Sequence, residues 1–203
     1  PVAVGDSTVA QIDGRLSTAG QQYLQAARRL SAGRRQQAAR FARLLEAELA
    51  ELAMERTKFE VRLSTGESDD RWTESGIDTG EFFLSPNLGE DLRPLARIVS
   101  GGELSRVMLA LKTLGAAGSQ GKTLIFDEVD AGIGGRVASV VGDKLAALGD
   151  RFQVLCITHL PQIAACGRTH FLIEKRVQGR RTVTGVARLS DEARVAEIAR
   201  MMG

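Results

Sequence analysis

The sequence predicts an α/β fold with a long helical arm at its N-terminal end. Up to about Thr57 there is no proline after Pro1, few β-branched residues, and many Ala, Leu, Gln, Arg and Glu, a helix-forming composition. From Phe59 onward, short apolar runs such as 123–126 and 154–157 alternate with stretches of helical period. Apolar strands alternating with helices indicate a mostly parallel sheet covered by helices on both faces. The chain is therefore divided into an arm, 1–57, and an α/β domain, 58–203.

Within the arm, Leu16, Tyr23, Leu30, Gln37 and Leu44 recur every seven residues, and Phe41, Leu45, Leu49 and Leu52 continue an apolar stripe. One or two long helices follow, with Gly33 as the weak point. Such a helix cannot bury its stripe alone and needs a partner helix. Seven arginines (Arg15, Arg28, Arg29, Arg34, Arg35, Arg40, Arg43) and no acid lie between Gly14 and Arg43. Two uses compete for them: tracking DNA phosphates, or facing an acidic helix across a coiled-coil seam. The second is favoured for most of them, because Arg28–Arg29 and Arg34–Arg35 point to different sides of a helix.

In the α/β part, 59–63 alternates like a strand, 64–80 is polar and Gly-containing, and 81–84 is a short strand. Leu104, Val107, Met108, Leu111 and Leu114 form a helical stripe, and 123–126 reads as a buried strand. A helix over 136–148, a buried strand at 154–157, a short helix near Gln162, a strand pair around Phe171 and Val183, and a last helix opened by Ser190-Asp191-Glu192 complete the order.

Hydrophobic residues make up 43% and charged residues 26% of 203, which supports a packed core and argues against disorder. No apolar run approaches the roughly 20 residues of a membrane span, and the start lacks the basic-then-apolar order of a signal peptide. Cys156 and Cys166 have no metal-like spacing; a disulfide is the alternative, and two buried thiols of a cytosolic protein are expected. The absence of an initiator methionine leads us to expect a piece of a longer protein.

The strongest local signal is Thr123-Leu124-Ile125-Phe126-Asp127-Glu128. A buried strand ending in two acids puts carboxylates at the carboxyl edge of a parallel sheet, where open α/β folds bind ligands. There Asp127 can hold Mg²⁺, and Glu128 can orient and deprotonate water. The plain alternative is a strand leaving for solvent through acids. Ser100-Gly101-Gly102-Glu103 is the second signal. It could be a capping box, but two glycines in a first turn cost up to ~1 kcal/mol each against Ala. They provide bare backbone N–H groups at a helix N-terminus, an anion site suited to phosphate. Third, Thr158-His159 follows the second buried strand, placing His159 at the same edge if the strands are neighbours. His170 has no such context. Residues 116–123, ending Gly121-Lys122-Thr123, mimic a phosphate loop. Here, however, a helix precedes and a strand follows, the reverse of what phosphate binding needs, so the segment reads as a turn.

Taken in order, Ser-Gly-Gly-Glu, the strand with Asp-Glu, Asp130, and a strand ending in His resemble the C-terminal half of ABC-type ATPase heads. Glu103, where transporters usually carry Gln, is similar to the SMC, Rad50 and RecN branch. The stretches IVSGGELSRVMLALK (98–112), FDEVDAGIGG (126–135) and ITHLPQIA (157–164), with NLGE (87–90) and EIARM (197–201), resemble the RecN family.

The resemblance implies ATP and Mg²⁺ as cofactors. Ser100, Gly101, Gly102 and Glu103 would be the signature motif contacting a partner head's nucleotide. Asp127 would be the Walker B metal ligand, Glu128 the catalytic base, Asp130 a nucleotide-contacting residue of the D-loop, and His159 the switch histidine. The implied partners are the N-terminal head lobe of the same protein, a second copy of the head, and DNA, in a cytoplasmic, nucleoid-associated protein with no membrane partner. A transporter nucleotide-binding domain and a coiled-coil interaction module are the competing readings; the arm and Glu103 argue against the first.

Overall fold

The chain was studied as a computed structural model that describes residues 2–87, 89–98, 100–115, 121–178 and 181–203, with the side chains of 2–7 and 178 left aside. Leu88, Val99 and 116–120, where parts of the motifs above fall, lie outside the described residues.

A single helix, α1, runs Val2–Glu51. It passes through Gly33 unbroken, so the expected weak point is no break. After it come β1 (Lys58–Thr65), β2 (Asp78–Ser85) and β3 (Arg93–Pro94), then α2 (Gly101–Leu114), β4 (Thr123–Phe126), α3 (Gly135–Leu148) and β5 (Gln153–Cys156). The chain continues with α4 (Pro161–Cys166), β6 (Phe171–Gln178), β7 (Arg181–Arg188) and α5 (Asp191–Met202). Helix α2 precedes and β4 follows the Gly121-Lys122-Thr123 segment, the order that argues against a phosphate loop.

The α/β class stands, but parallel pairing is narrower than expected. Among the described residues only β4 and β5 pair in parallel, with Ile125 opposite Leu155 and Phe126 opposite Cys156. The pairs β1–β2, β2–β3 and β6–β7 are antiparallel. The physical reason is connectivity. A parallel pair needs a crossover, which α3 supplies between β4 and β5, whereas a short link such as that between β6 and β7 returns the chain antiparallel.

Two compact units form, and they do not divide at residue 57. One comprises 1–44, 58–85 and 89–97, the other 45–57, 86–88 and 98–203. In the first, the β1–β2 hairpin and its loop pack on α1. Phe41, Phe59 and Phe82 meet with ring centroids 5.3–6.1 Å apart. Tyr23 stacks on Trp72 at 4.6 Å and its hydroxyl donates to the Thr73 carbonyl at 3.0 Å.

Polar ties hold the same face. Arg28 pairs with Glu67 at 2.7 Å, and Arg35 donates to Thr65 Oγ1. Ser31 and Thr65 donate to Asp78 Oδ1 at 2.8 and 2.9 Å, and Arg34 to Oδ2 at 3.3 Å. Three of the seven arginines are thus engaged by the chain's own hairpin, a use the sequence did not suggest. Of the apolar stripe, Leu16, Leu30 and Leu44 stay exposed in this unit.

The second unit has an aliphatic core that includes Leu45, Leu49, Leu52, Val107, Leu109, Val129, Val141 and Ile163. In α5 the Ser190 side chain accepts from the Ala193 N–H, a true N-cap. The strands expected to be buried are covered on one face only: Ile125, Leu155 and Ile157 are 69%, 45% and 54% exposed.

Candidate functional site

All the candidate residues lie in the second unit, around the carboxyl ends of β4 and β5 and the start of α2. Strand β4 stops at Phe126 because Asp127 turns the chain out of the ladder, its Oδ1 accepting the Glu128 N–H at 3.0 Å. Glu128 then adopts φ +56°, the left-handed region, which non-glycine residues seldom enter and which gathers at functional sites. The Glu128 carbonyl accepts the Ala131 N–H at 3.0 Å, closing a tight turn.

The Ser-Gly-Gly-Glu stretch starts α2, and its serine behaves unlike Ser190. Ser100 sits at the N-cap, yet its side chain makes no capping bond. The capping-box explanation therefore lacks its defining hydrogen bond. The glycines instead allow close approach. A Cβ built on Gly101 would collide with Oε2 of Glu128, and one on Gly102 would fall 2.7 Å from the Ala131 Cβ and 3.2 Å from the Glu128 carbonyl. The Glu128 carboxylate thus lies against the N-terminal, positive end of α2.

Two residues of the next turn, which sequence reasoning had not singled out, fasten this arrangement. Ser105 Oγ donates to the Asp127 carbonyl at 2.6 Å, and Arg106 donates to the Ala131 carbonyl at 2.8 Å. Arg106 is buried and its Nε has no partner among the described residues. Burial pushes its pKa down, with Glu103 opposing. The signal was available: Gly102 and Arg106 are four residues apart and so share one helix face.

At the end of β5, His159 reaches the same edge, because β5 pairs directly with β4. Asp130, just past Glu128, is turned inward at 4% exposure. Its Oδ2 accepts the Thr158 hydroxyl at 2.6 Å and the His159 N–H at 2.9 Å, and lies 3.0 Å from His159 Nδ1. The His159 side chain is 74% exposed. Beneath, burial first and then Asp130 and Asp127 push the Cys156 thiol up to about 12, so it stays protonated. Cys166 is free as well.

Two groupings result. Ser100, Gly101, Gly102 and Glu103 begin the helix that packs against Glu128 and the 128–131 turn, and Asp130 joins that turn to His159. Among the described residues no cluster of three ligand-type side chains forms a metal cage. Asp127, with one carboxylate oxygen taken by a backbone N–H, fits a Mg²⁺ ion that arrives on phosphates and keeps one or two protein carboxylates. His170 is apart from both groupings in its contacts; its carbonyl accepts the Leu189 N–H.

No family model matches the chain. The chain is 44% identical over 203 residues to the DNA repair protein RecN of Treponema pallidum, covering 98% of this chain and 35% of that protein. It is 47% identical over 171 residues to RecN of Halalkalibacterium halodurans (83% and 30%) and 39% identical over 209 to RecN of Bacillus subtilis (97% and 36%). Among solved structures it is similar to an Smc head domain with coiled coil from Pyrococcus yayanosii, with 18% identity, TM-score 0.48, and 80% and 29% of the two chains covered. The chain spans about a third of the length of the curated relatives it matches, and over that span it belongs to the RecN family.

Proposed function

We propose that this chain is the C-terminal part of an ATPase head which, in the intact protein, couples ATP binding and hydrolysis to DNA handling in double-strand break repair. The observation that carries the reading is the common carboxyl edge of the paired strands β4 and β5, from which Asp127, Glu128 and His159 leave, with the start of α2 packed beside it. Asp127 would hold Mg²⁺, which screens phosphate charge, and Glu128 would orient and deprotonate the attacking water. Ser100 with the Gly101 and Gly102 amides would grip the γ-phosphate of a second head, with Glu103 behind them. His159 would donate to a phosphate oxygen. The exposed apolar face of Ile125, Leu155 and Ile157 supports an N-terminal lobe completing the sheet, since parallel sheets are covered on both faces. The nucleotide, the second head, the N-terminal lobe and DNA are then the partners, in the cytoplasm beside the nucleoid.

The test is made on the intact protein. Glu128→Gln should keep ATP binding and slow hydrolysis by ~10²-fold or more, the scale of a lost general base, with ATP-bound head pairs accumulating. Asp127→Ala should lose magnesium-dependent binding instead. Equal nucleotide affinities in the two variants would overturn this division of labour. The chain by itself should hydrolyse no ATP.

A further inference from the structure

Asp130 makes contacts that a nucleotide-binding role does not explain. Its side chain is 6% exposed, and a single oxygen, Oδ2, faces the Thr158 hydroxyl, the His159 backbone N–H and the His159 ring. The direction of each bond is fixed by chemistry. The backbone N–H can only donate. Thr158 Oγ1 accepts the Leu160 N–H at 3.0 Å, so its own proton goes to Asp130. An ionised carboxylate only accepts, so the imidazole nitrogen at 3.0 Å must carry its proton on Nδ1.

We propose that Asp130 is a positioning residue for His159: it commits the imidazole to the Nδ1–H tautomer and presents Nε2 outward. The proposal rests on the ATPase reading for its consequence, though not for its geometry. With Nδ1–H held by Asp130, a neutral His159 offers only a lone pair at Nε2. To donate to a phosphate oxygen it takes a proton from solvent at Nε2, giving an imidazolium bonded to Asp130 on one side and phosphate on the other. Asp130 keeps the ring in place through Nδ1–H, as an orienting Asp does for other catalytic histidines. Because Asp130 belongs to the turn that starts at Glu128, the residue that handles water and the residue that meets phosphate share one support.

Two measurements test this. On the present chain, ¹⁵N spectra of the two histidines, with His170→Gln to assign them, should show neutral His159 protonated on Nδ1. Asp130→Asn should shift it toward Nε2–H, while Thr158→Val, which removes one donor from the same carboxylate, should leave it unchanged. In the intact protein, Asp130→Asn should lower kcat ~10-fold or more at similar KM, the direction seen when an orienting carboxylate is lost, and Thr158→Val should not. A wild-type His159 protonated on Nε2 overturns the proposal even if neither variant folds. Equal kcat losses in the two variants overturn it too, by making Asp130 merely structural. If the intact protein hydrolyses no ATP while the Nδ1–H tautomer is found, the ATPase reading fails and the positioning geometry stands.

Discussion

The Lys144 ammonium of α3 lies 2.5 Å from a carboxylate oxygen of Glu48 and 2.8 Å from one of Glu51, both in the last turn of α1. Lys144 is 13% exposed and Glu48 23%, so the tie is shielded from solvent more than a surface pair. Burial pulls the lysine pKa down, but the two glutamates outweigh it and leave it raised. A raised pKa means stability that is complete below the ordinary lysine value and is lost as pH climbs through the folded-state value. Lys144→Met should lower unfolding free energy by about 1–3 kcal/mol at neutral pH, because two carboxylates lose their partner. The deficit should shrink only in strongly alkaline solution. Denaturant titration at neutral and strongly alkaline pH checks this, and an unchanged midpoint at neutral pH would contradict it.

Asp78 should make the first unit sensitive to acid. Its side chain is 1% exposed. Burial pushes the carboxyl up, yet hydrogen bonds from Ser31, Thr65 and Arg34 prevail and hold its pKa below the usual range. Its contribution is therefore present above the unfolded carboxylate value, about 4, and lost as pH falls through the lower folded value. Asp78→Asn should cost about 1–3 kcal/mol at neutral pH, and the gap to wild type should narrow in acid below that carboxylate value. A gap independent of pH would count against the assignment.

The two glycines of the signature should respond differently to alanine. At Gly101 the obstacle is the end of the flexible Glu128 side chain, whereas at Gly102 it is Ala131 and a backbone carbonyl. Gly101→Ala should therefore leave stability within about 1 kcal/mol of wild type, helped by alanine's helix propensity, while displacing the Glu128 carboxylate and lowering hydrolysis in the intact protein. Gly102→Ala should destabilise by about 1–3 kcal/mol through overpacking. The reverse ranking of melting temperatures would refute this.

Local period made much of the fold legible. The strand 123–126 and the helix ending at Leu148 appear where a short apolar run and a stretch of helical period put them. Strand β3 was not legible: two residues, one a proline, carry no period. Single-face exposure of β4 and β5 was missed because an apolar run is equally apolar whether or not its cover is present. At the site, the sequence supplied Asp127, Glu128, Ser100 and His159 as isolated segments. It could not supply the bond between Asp130 and His159, 29 residues apart, because no local pattern encodes a partner at that distance. The arginines failed for the same reason, since Glu67 and Asp78 lie 39 and 44 residues beyond Arg28 and Arg34.

Those arginines divide into two sets with different expected effects. Arg28, Arg34 and Arg35 bond the hairpin. Arg15, Arg29, Arg40 and Arg43 are exposed and fall within about 80° of one another around α1 at roughly 100° per residue. Replacing the first three by Gln should lower the melting temperature and leave the salt slope of DNA binding unchanged in the intact protein. Replacing the other four should leave melting unchanged; any flattening of the slope, ~0.9 for each phosphate no longer neutralised, belongs to this set. A flatter slope at unchanged melting in the first set would show the hairpin bonds to be incidental.

The positive φ of Glu128 sets folding and chemistry against each other at one position. A non-glycine residue there carries about 1–2 kcal/mol of conformational strain, which glycine would relieve and asparagine would lessen. Selection for thermal stability alone should thus favour Glu128→Gly, a substitution that removes the carboxylate, so a stability screen on this chain would enrich variants that lack the proposed base. Natural copies that keep glutamate there would be retaining a less stable turn for what its side chain does.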